Sequence, residues 1–250
     1  MEQLKWKGFK EVRVVDKVKE SKGVYSFYLK DIDNKNLPEF LAGQFIAIRV
    51  KNKDNTYTSP RQYTLSMNHK DDFYRVSIKR EENGYVSKKL VDEVEIGDTI
   101  DITMPLGKFY LKDNNKNVVL IGGGIGITPM LTMAYEAANT SKNVELIYST
   151  QNAENHSFKD EIEKLCNENS NIKSTTFYTR VNEEKDNSKY IAGRMSREWM
   201  EENLDKDSEF YFCGPTEFMR SVYKNLISMG INKEDINFEM FDAGTDITKG

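Results

Sequence analysis

Four glycines follow directly on an apolar run in the stretch VVLIGGGIGITPM, residues 118–130. The apolar run is typical of a strand that is buried on both faces, and the segment that begins at Thr128 has the composition of a helix. Glycine lets backbone N–H groups approach an anion, and a helix N-terminus adds unpaired donors and the positive end of its dipole. The order of strand, glycine turn and helix therefore predicts a phosphate site. The spacing departs from G-x-G-x-x-G, so the stretch alone also fits a turn that only allows close helix–strand packing.

Thiol and imidazole groups, which are common ligands of redox metals, are scarce in this chain. It contains two cysteines, Cys166 and Cys213, and two histidines, His69 and His156. Two thiols cannot supply the four thiolates of an iron–sulfur cluster or form a disulfide framework. We therefore expect no metal site, and we interpret both histidines as surface residues. Any redox chemistry then needs an organic cofactor.

The composition and charge of the 250 residues bound the class of protein. Hydrophobic residues make up 38% and charged residues 30%, which is typical of a globular protein. No apolar run approaches the ~20 residues of a membrane span, and the N-terminus lacks a signal-peptide pattern, so we expect a cytoplasmic protein. Residues 1–115 carry 21 basic and 18 acidic side chains (net +3), and residues 116–250 carry 15 and 22 (net −7). This asymmetry indicates two domains, and the absence of a dense basic stripe gives no support to nucleic-acid binding.

The first part of the chain is rich in short runs of β-branched and aromatic residues. Six such runs, separated by turn residues, predict an antiparallel barrel or sandwich. One run, FYRVSIK at residues 73–79, alternates apolar with polar positions. Residues 84–92, GYVSKKLVD, instead predict a short helix with Val86, Leu90 and Val91 on one face. The polar linker KDNNK follows at residues 112–116, and we predict domains at residues 1–113 and 114–250.

The second part of the chain alternates strand-like and helix-like segments. Five strands with intervening helices predict a doubly wound parallel sheet with right-handed crossovers. Ligands of such sheets bind beyond the carboxyl ends of the strands. Four segments lie at those predicted ends: residues 122–126, 149–150, 179–180 and 213–215.

Five short motifs occur in order along the chain: RQYT, GYVS, GGGIGITPM, CGP and EMF. This order resembles the ferredoxin–NADP reductase superfamily over nearly the whole chain. The segment VDEVEIGDTIDITMPLGKFYL is most similar to the flavohaemoglobin-type FAD/NAD(P)H reductase branch. The resemblance implies a β-barrel FAD domain, an α/β NAD(P)-binding domain, FAD as the cofactor and NADH or NADPH as the hydride donor.

The resemblance implies that the RQYT motif holds the flavin. Arg61 would contact the flavin phosphates, Tyr63 would stack on the isoalloxazine ring, and Thr64 would lie near the nitrogen that receives the hydride. An ordinary strand with alternate residues facing the core would carry the same residues. The GYVS helix start would donate N–H groups and a hydroxyl to the FAD pyrophosphate, although a helix start without a ligand also fits. The further implied flavin contacts are Val76, Lys79, Gly84, Val86 and Ser87.

The resemblance also implies a nucleotide site in the second domain. Its pyrophosphate cradle would consist of Gly122, Gly124, Gly126 and Thr128, with Cys213, Gly214 and Pro215 beside the nicotinamide. Without the resemblance, Cys213 fits a small buried residue, and nothing indicates a nucleophilic role. Glu239 and Phe241 match an acid-x-aromatic pattern, in which the aromatic ring covers a flavin face and the acid relays a proton.

Residues at the ends of the later strands point in both directions for the preferred nucleotide. Arg180 and Arg194 could reach the 2′-phosphate of NADPH. Thr150 stands where NADPH-using relatives often carry a further arginine, and the segment TQNAENHSF resembles NADH-using flavohaemoglobins. We expect NADH to be the preferred donor.

These residues favour an oxidoreductase that moves electrons from NAD(P)H through bound FAD to a one-electron acceptor protein. Because nicotinamide gives electrons in pairs and metal centres take them singly, a flavin is needed between them. The expected acceptor is a ferredoxin, another iron–sulfur protein or a haem protein. The alternatives are an FAD-binding electron-transfer subunit of a larger redox complex and a free-flavin reductase.

Overall fold

The structure, a computed structural model, describes residues 5–68, 71–181, 189–241, 244 and 246–248. The chain divides into two compact units, Met1–Tyr110 and Leu111–Gly250. Within the described residues no helix has both the length and the apolar character needed to cross a membrane.

In the part of the chain that the structure describes, the first unit is a six-stranded antiparallel sheet with one helix. Its strands are β1 (Lys10–Ser21), β2 (Val24–Asp31), β3 (Phe45–Arg49), β4 (Arg61–Thr64), β5 (Tyr74–Lys79) and β6 (Thr99–Ile102), and its helix is α1 (Tyr85–Glu93). The strand order is β4-β3-β6-β1-β2-β5. An antiparallel bridge between Leu65 and Val76 joins the two edges of the sheet and closes it, which removes the exposed edges of an open sheet. The predicted antiparallel barrel is confirmed.

The apolar residues of β5 lie in the barrel interior, as the alternation of apolar and polar positions in this strand predicts. Tyr74, Val76 and Ile78 all lie in the main core of this unit. Two polar positions of the same strand, Arg75 and Ser77, are buried as well, so the strand does not have one fully solvated face. Ser77 Oγ lies 2.7 Å from both Ser26 Oγ and Ser66 Oγ. These short hydroxyl contacts satisfy polar groups that would otherwise be costly to bury.

Helix α1 packs one apolar face on the barrel. Val86, Leu90 and Val91 are buried and belong to the core, as their spacing predicts. Burial of each such side chain stabilises the fold by roughly 1.5–3 kcal/mol. This packing fixes the position of the helix start, where Gly84 is the N-cap residue.

The second unit is a parallel sheet with helices between its strands. Its strands are β7 (Val118–Gly123), β8 (Val144–Thr150), β9 (Ile172–Tyr178), β10 (Ile191–Ala192), β11 (Glu209–Cys213) and β12 (Ile236–Phe238), and its helices are α2 (Ile127–Ala138), α3 (Lys159–Glu168), α4 (Arg197–Asn203) and α5 (Thr216–Ser228). The strand order is β10-β9-β8-β7-β11-β12, and every pair is parallel. The doubly wound parallel sheet is confirmed, with one strand more than the five predicted. The additional strand, β10, has two residues and is too short to produce a periodic pattern.

The central strand β7 is buried along its whole length, as its continuous apolar run predicts. Pro129 lies in the first turn of α2, where its missing N–H leaves no intrahelical bond unmade. Gly230 follows Met229, the C-cap residue of α5, with φ +81°, the left-handed conformation that commonly ends a helix.

Candidate functional site

The segments that were predicted to follow strands lie together at the carboxyl ends of the parallel strands. Strands β7, β8, β9 and β11 end at Gly123, Thr150, Tyr178 and Cys213. Because all four strands run in the same direction, the loops that follow them lie along one edge of the sheet. These loops carry the glycine stretch and the CGP turn of the second unit.

Close packing explains why the loop after β7 needs glycine. A Cβ atom at Gly126 would lie 2.3 Å from the carbonyl oxygen of Cys213, and one at Gly122 would lie 2.7 Å from the Cα of Ile127. Gly124 has φ +53° and begins a short 3-10 turn, Gly124–Gly126, that leads into α2. The structure therefore brings the glycine loop directly against the CGP turn, although the two motifs are far apart in the sequence.

The packing of these two loops also involves residues that the sequence analysis missed. A Cβ atom at Gly123 would lie 2.6 Å from the ring of Phe218, and one at Gly214 would lie 2.7 Å from the same ring. The ring of Phe218 in α5 thus packs against both loops. The sequence analysis counted Gly123 among the four glycines but left it out of the pyrophosphate cradle, whereas no local pattern marks Phe218.

The Thr128 side chain is engaged within the loop. It is buried, and its hydroxyl donates to the carbonyl of Ile125 at 3.0 Å. Its hydroxyl therefore stabilises the 3-10 turn, and an anion at this loop would have to be bound by backbone N–H groups.

Cys213 and Glu239 interact at the carboxyl ends of β11 and β12. Burial raises the pKa of the fully buried Cys213 thiol well above its usual value, and Glu239 raises it further. Burial also raises the pKa of the Glu239 carboxyl group to about 7. Cys213 is thus a neutral thiol, whereas Glu239 can exchange a proton near neutral pH. Phe241 stands two residues further on, with 47% of its surface exposed.

The two arginines of the predicted nucleotide site are exposed. Arg180 follows β9, and its backbone N–H donates to the carbonyl of Gln151 at 2.8 Å. Arg194 follows β10. Thr150, by contrast, is buried, and its hydroxyl donates to the Asn155 carbonyl at 2.9 Å. This hydroxyl therefore holds the loop after β8.

The structure corrects the interpretation of His156 as a surface residue in part, because its side chain is half-buried. Its imidazole packs edge-on against Tyr148 and Tyr178, with ring centroids 5.1 and 5.8 Å away, and Nδ1 lies 2.9 Å from the Tyr178 hydroxyl. Burial, with a smaller contribution from Lys159, lowers the pKa of His156 to about 4, while Asp160 acts in the opposite direction. The other histidine, His69, lies outside the described residues.

In the first unit, β4 carries the RQYT motif. Arg61 is exposed, and its Nη1 donates to the Pro60 carbonyl at 2.9 Å. Tyr63 is partly buried, and burial raises the pKa of its phenol to about 12, although Arg61 acts against this rise. Thr64 is 5% exposed, and its buried hydroxyl has no hydrogen-bond partner among the described residues.

Two of the implied flavin contacts in the first unit have their side chains in the core. Val76 is fully buried in the barrel, and Val86 is buried in the packed face of α1. Only their backbones can serve a ligand. Lys79, by contrast, is exposed, with its Nζ 2.8 Å from Glu81 Oε1.

The start of α1 depends on a close contact between Gly84 and Ser87. A Cβ atom at Gly84 would lie 2.4 Å from Ser87 Oγ. Ser87 Oγ in turn accepts a hydrogen bond from the Glu81 N–H at 3.2 Å. The side chain therefore closes the preceding loop. No side chain caps the helix, which leaves N–H groups at its start for a ligand.

The residues of both units fit FAD and a nicotinamide nucleotide. A buried hydroxyl without a partner costs roughly 1–3 kcal/mol, so Thr64 suits a position where a bound ligand supplies the missing partner. In the second unit, the space above Gly124, where a Cβ atom would meet nothing within 4 Å, lies beside a helix start that suits a pyrophosphate. Within the described residues no group of acidic, histidine and cysteine side chains could hold a metal ion.

Comparison with known families assigns each half of the chain. Residues 11–110 match the oxidoreductase FAD-binding domain. Residues 120–224 match the oxidoreductase NAD-binding domain.

Curated relatives and solved structures agree with this assignment. The flavohemoprotein of Bacillus cereus is 36% identical over 253 residues, which cover 97% of this chain and 63% of the relative. The flavohemoprotein of Bacillus subtilis is 35% identical over 242 residues, covering 94% and 60%. The chain thus spans just under two thirds of the length of these relatives. The flavohaem-like FAD/NAD-binding domain of nitric oxide dioxygenase from Vibrio cholerae has a TM-score of 0.84 and 32% identity, covering 92% of this chain and 97% of that one. Phthalate dioxygenase reductase has a TM-score of 0.78 and 27% identity, covering 96% and 70%.

The fold and the two domain matches define an NAD(P)H-dependent, FAD-containing oxidoreductase. The chain belongs to the ferredoxin–NADP reductase superfamily, in its flavohaemoglobin-type branch.

Proposed function

We propose that this protein passes electrons from NADH or NADPH, through bound FAD, to a one-electron acceptor protein that carries haem or an iron–sulfur centre. The names of its relatives support such an acceptor: some are flavohemoproteins, and phthalate dioxygenase reductase is described as transferring electrons from pyridine nucleotides to a 2Fe–2S centre. FAD, when bound, supplies the chemistry that accepts electrons in pairs and releases them singly. The observation that carries the proposal is the buried, unpartnered hydroxyl of Thr64 at the end of β4.

The side chains of β4 hold and orient the flavin in this proposal. Arg61, which is exposed and carries a planar guanidinium group, binds the flavin phosphates. Tyr63 offers its partly buried ring for stacking, and its phenol stays protonated because its pKa is about 12. Thr64 directs its hydroxyl at the reacting part of the ring system. The start of α1, with Gly84 and Ser87, binds the pyrophosphate, and Lys79 contributes a positive charge.

The loops at the carboxyl edge of the second unit hold the nicotinamide nucleotide. Backbone N–H groups at Gly122, Gly124, Gly126 and Thr128 bind the pyrophosphate, and the turn of Cys213, Gly214 and Pro215 lies beside the nicotinamide. Because the pKa of Cys213 is strongly raised, this residue contributes shape and excludes water without acting as a nucleophile. Arg180 and Arg194 face the adenosine end, where either can meet a 2′-phosphate.

Glu239 and Phe241 belong to the proposed site of the second unit. Glu239, with a pKa of about 7, holds a proton at slightly acidic pH and releases it at slightly basic pH, which suits proton exchange during electron transfer. Phe241 is largely exposed and so can cover an aromatic ligand and move away from it.

The proposal is tested by replacing the Thr64 hydroxyl. Thr64→Val keeps the shape of the side chain, and removal of an unpartnered buried hydroxyl should leave the thermal midpoint of the FAD-free protein unchanged or higher. With FAD bound, the rate of flavin reduction by NADH should fall about 10- to 100-fold, because one orienting hydrogen bond is lost. The conservative Thr64→Ser should retain most of the rate. Stopped-flow absorbance and the NADH-dependent reduction of cytochrome c measure both steps. A Thr64→Val protein with unchanged rates would contradict the proposed role.

A further inference from the structure

Hydrogen bonds from side chains of the same unit stabilise the loop after β8. Its hydrogen bonds include Thr150 Oγ1 to the Asn155 carbonyl at 2.9 Å and Asn155 Nδ2 to Asn152 Oδ1 at 2.7 Å. The Tyr148 hydroxyl also bonds with Ser157 and Thr150. The loop is thus built as a defined structure that ends at Phe158, a buried residue with φ +60°.

His156 fastens this loop to the neighbouring strand. Nδ1 lies 2.9 Å from the hydroxyl of Tyr178, the last residue of β9. Tyr178 is fully buried and stacks on Tyr190 with ring centroids 4.6 Å apart. The half-buried imidazole packs between Tyr148 and Tyr178 and so links the loop to the end of β9.

The residues beside this contact lie at the strand end where doubly wound sheets commonly bind the adenosine half of a dinucleotide. In a doubly wound sheet, residues that follow the strand next to the glycine turn read the adenosine ribose. Here that strand is β8, and it is followed by Gln151, whose carbonyl accepts from the N–H of Arg180. The same backbone bonding includes Thr179, whose N–H donates to the Thr150 carbonyl at 3.0 Å. The His156–Tyr178 contact therefore stabilises the backbone segments that carry the exposed residues Gln151 and Arg180.

We propose that His156 is a positioning residue for the adenosine end of the nicotinamide nucleotide. This inference rests on the proposed nucleotide site. His156 acts through the hydrogen bond with Tyr178 and does not touch the reacting atoms. Its removal loosens the loop after β8, which weakens nucleotide binding and leaves the chemical step intact. The charged groups that face it, Lys159 and Asp160, belong to the start of α3, and the two tyrosines supply the remaining walls.

The test compares variants of His156 and Tyr178 in the full chain loaded with FAD. We expect His156→Ala to raise the KM for NADH and the dissociation constant of NAD⁺ about tenfold, with kcat within about twofold. His156→Asn, whose amide group stands where Nδ1 lies, should restore most of the affinity. Tyr178→Phe should raise KM less, and the double variant His156→Ala/Tyr178→Phe should be no worse than His156→Ala, because both changes remove one bond.

A matched control separates positioning from general stability. Tyr135→Phe removes a similar tyrosine hydrogen bond, to Glu161 Oε1 at 2.6 Å, between α2 and α3. This variant should lose some thermal stability and keep the wild-type KM. Calorimetric binding of NAD⁺ gives a readout that does not depend on turnover. The inference would be overturned if His156→Ala left the dissociation constant of NAD⁺ unchanged, or if it lowered kcat by the same factor as it raised KM. In either case a wild-type protein that oxidises NADH would leave the proposed function standing. A wild type that neither binds nor oxidises the nucleotide would overturn both.

Discussion

The two units build their candidate sites from different materials. In the first unit the site depends on side chains of β4, namely Arg61, Tyr63 and the unpartnered Thr64. In the second unit it depends on backbone that only glycine allows, since a Cβ atom at Gly126 would lie 2.3 Å from the Cys213 carbonyl oxygen. Side chains can be exchanged one at a time with graded effects, whereas a steric requirement of the backbone tolerates little. The second site should therefore be the more sensitive to small substitutions.

The largest effect is expected from Gly126→Ala. One added methyl group must push the glycine loop away from the CGP turn, and overpacking of this kind costs roughly 1–3 kcal/mol or more. We expect the dissociation constant of NAD⁺ to rise about 100-fold, with FAD content unchanged. Isothermal titration calorimetry and the flavin absorbance of the purified protein measure the two quantities.

Gly230→Ala is the matched control for this substitution. Gly230 has φ +81° and nothing within 4 Å of an added Cβ, so the change costs backbone strain without a clash. It should lower the thermal midpoint and leave nucleotide affinity as it was. Equal losses of nucleotide affinity in the two variants would remove the steric explanation.

The next largest effects are expected in the first unit. Arg61→Ala and Tyr63→Ala should each raise the dissociation constant of FAD about 10- to 100-fold, because a charged hydrogen bond and a stacked ring are lost. Nucleotide affinity should stay within about twofold. Tyr28→Ala removes a ring contact with Phe73 elsewhere on the barrel and serves as the control. Full FAD content in both site variants after purification would show that β4 does not hold the flavin.

A smaller effect, confined to a pH window, is expected from Glu239→Gln. The pKa of Glu239 in the folded chain, about 7, lies above its reference value of 4.5, so folding favours the protonated carboxyl group. The stability linked to this proton is complete below pH 4.5 and is lost as the pH rises through 7. Since Glu239 is only partly buried, we expect Gln to stabilise the protein by about 1–2 kcal/mol at pH 8 and hardly at all at pH 4.5.

Thermal denaturation at the two pH values measures this difference. Glu202→Gln, which changes an exposed carboxyl group of α4, is the control and should show no such pH dependence. A stabilisation by Glu239→Gln that is the same at both pH values would argue against a raised pKa.

The smallest effect is expected from Lys79→Ala. The Lys79 side chain is exposed, and its ion pair with Glu81 is worth about 0–1 kcal/mol in water. FAD affinity should fall by about threefold or less, which titration of the FAD-free protein measures. A loss as large as that of Arg61→Ala would place Lys79 among the principal flavin-binding residues.

The contrast between a site built from backbone and a site built from side chains also determines how much could be predicted from the sequence. The glycine loop could be predicted because several glycines follow a buried strand, and the family resemblance singled out the CGP turn, while the structure adds the steric cause. Val76 and Val86 show the limit of transferring a motif, because a valine in a flavin-binding segment can equally face the core, as both do. Position in a motif does not give the direction of a side chain.

Long-range contacts account for the remaining differences. His156 was interpreted as a surface residue, but two tyrosines from separate strands partly cover it, and no pattern near it in the sequence indicates these contacts. Ser77 is polar and lies in an alternating strand, yet Ser26 and Ser66 provide the hydroxyl contacts that allow it to be buried. The alternation of polar and apolar residues predicts which face of the sheet a side chain lies on. Only the complete fold shows whether that face is exposed to solvent.

The most direct measurement is an anaerobic titration of the purified protein with NADH and, separately, with NADPH, while the flavin absorbance is followed. We predict that FAD is bound in a one-to-one ratio and that its absorbance is bleached by about one equivalent of NADH, with NADPH less effective. A bound flavin that neither nucleotide reduces would favour an electron-transfer subunit over a reductase. A protein that binds no FAD, even when FAD is added in excess, would contradict the central claim.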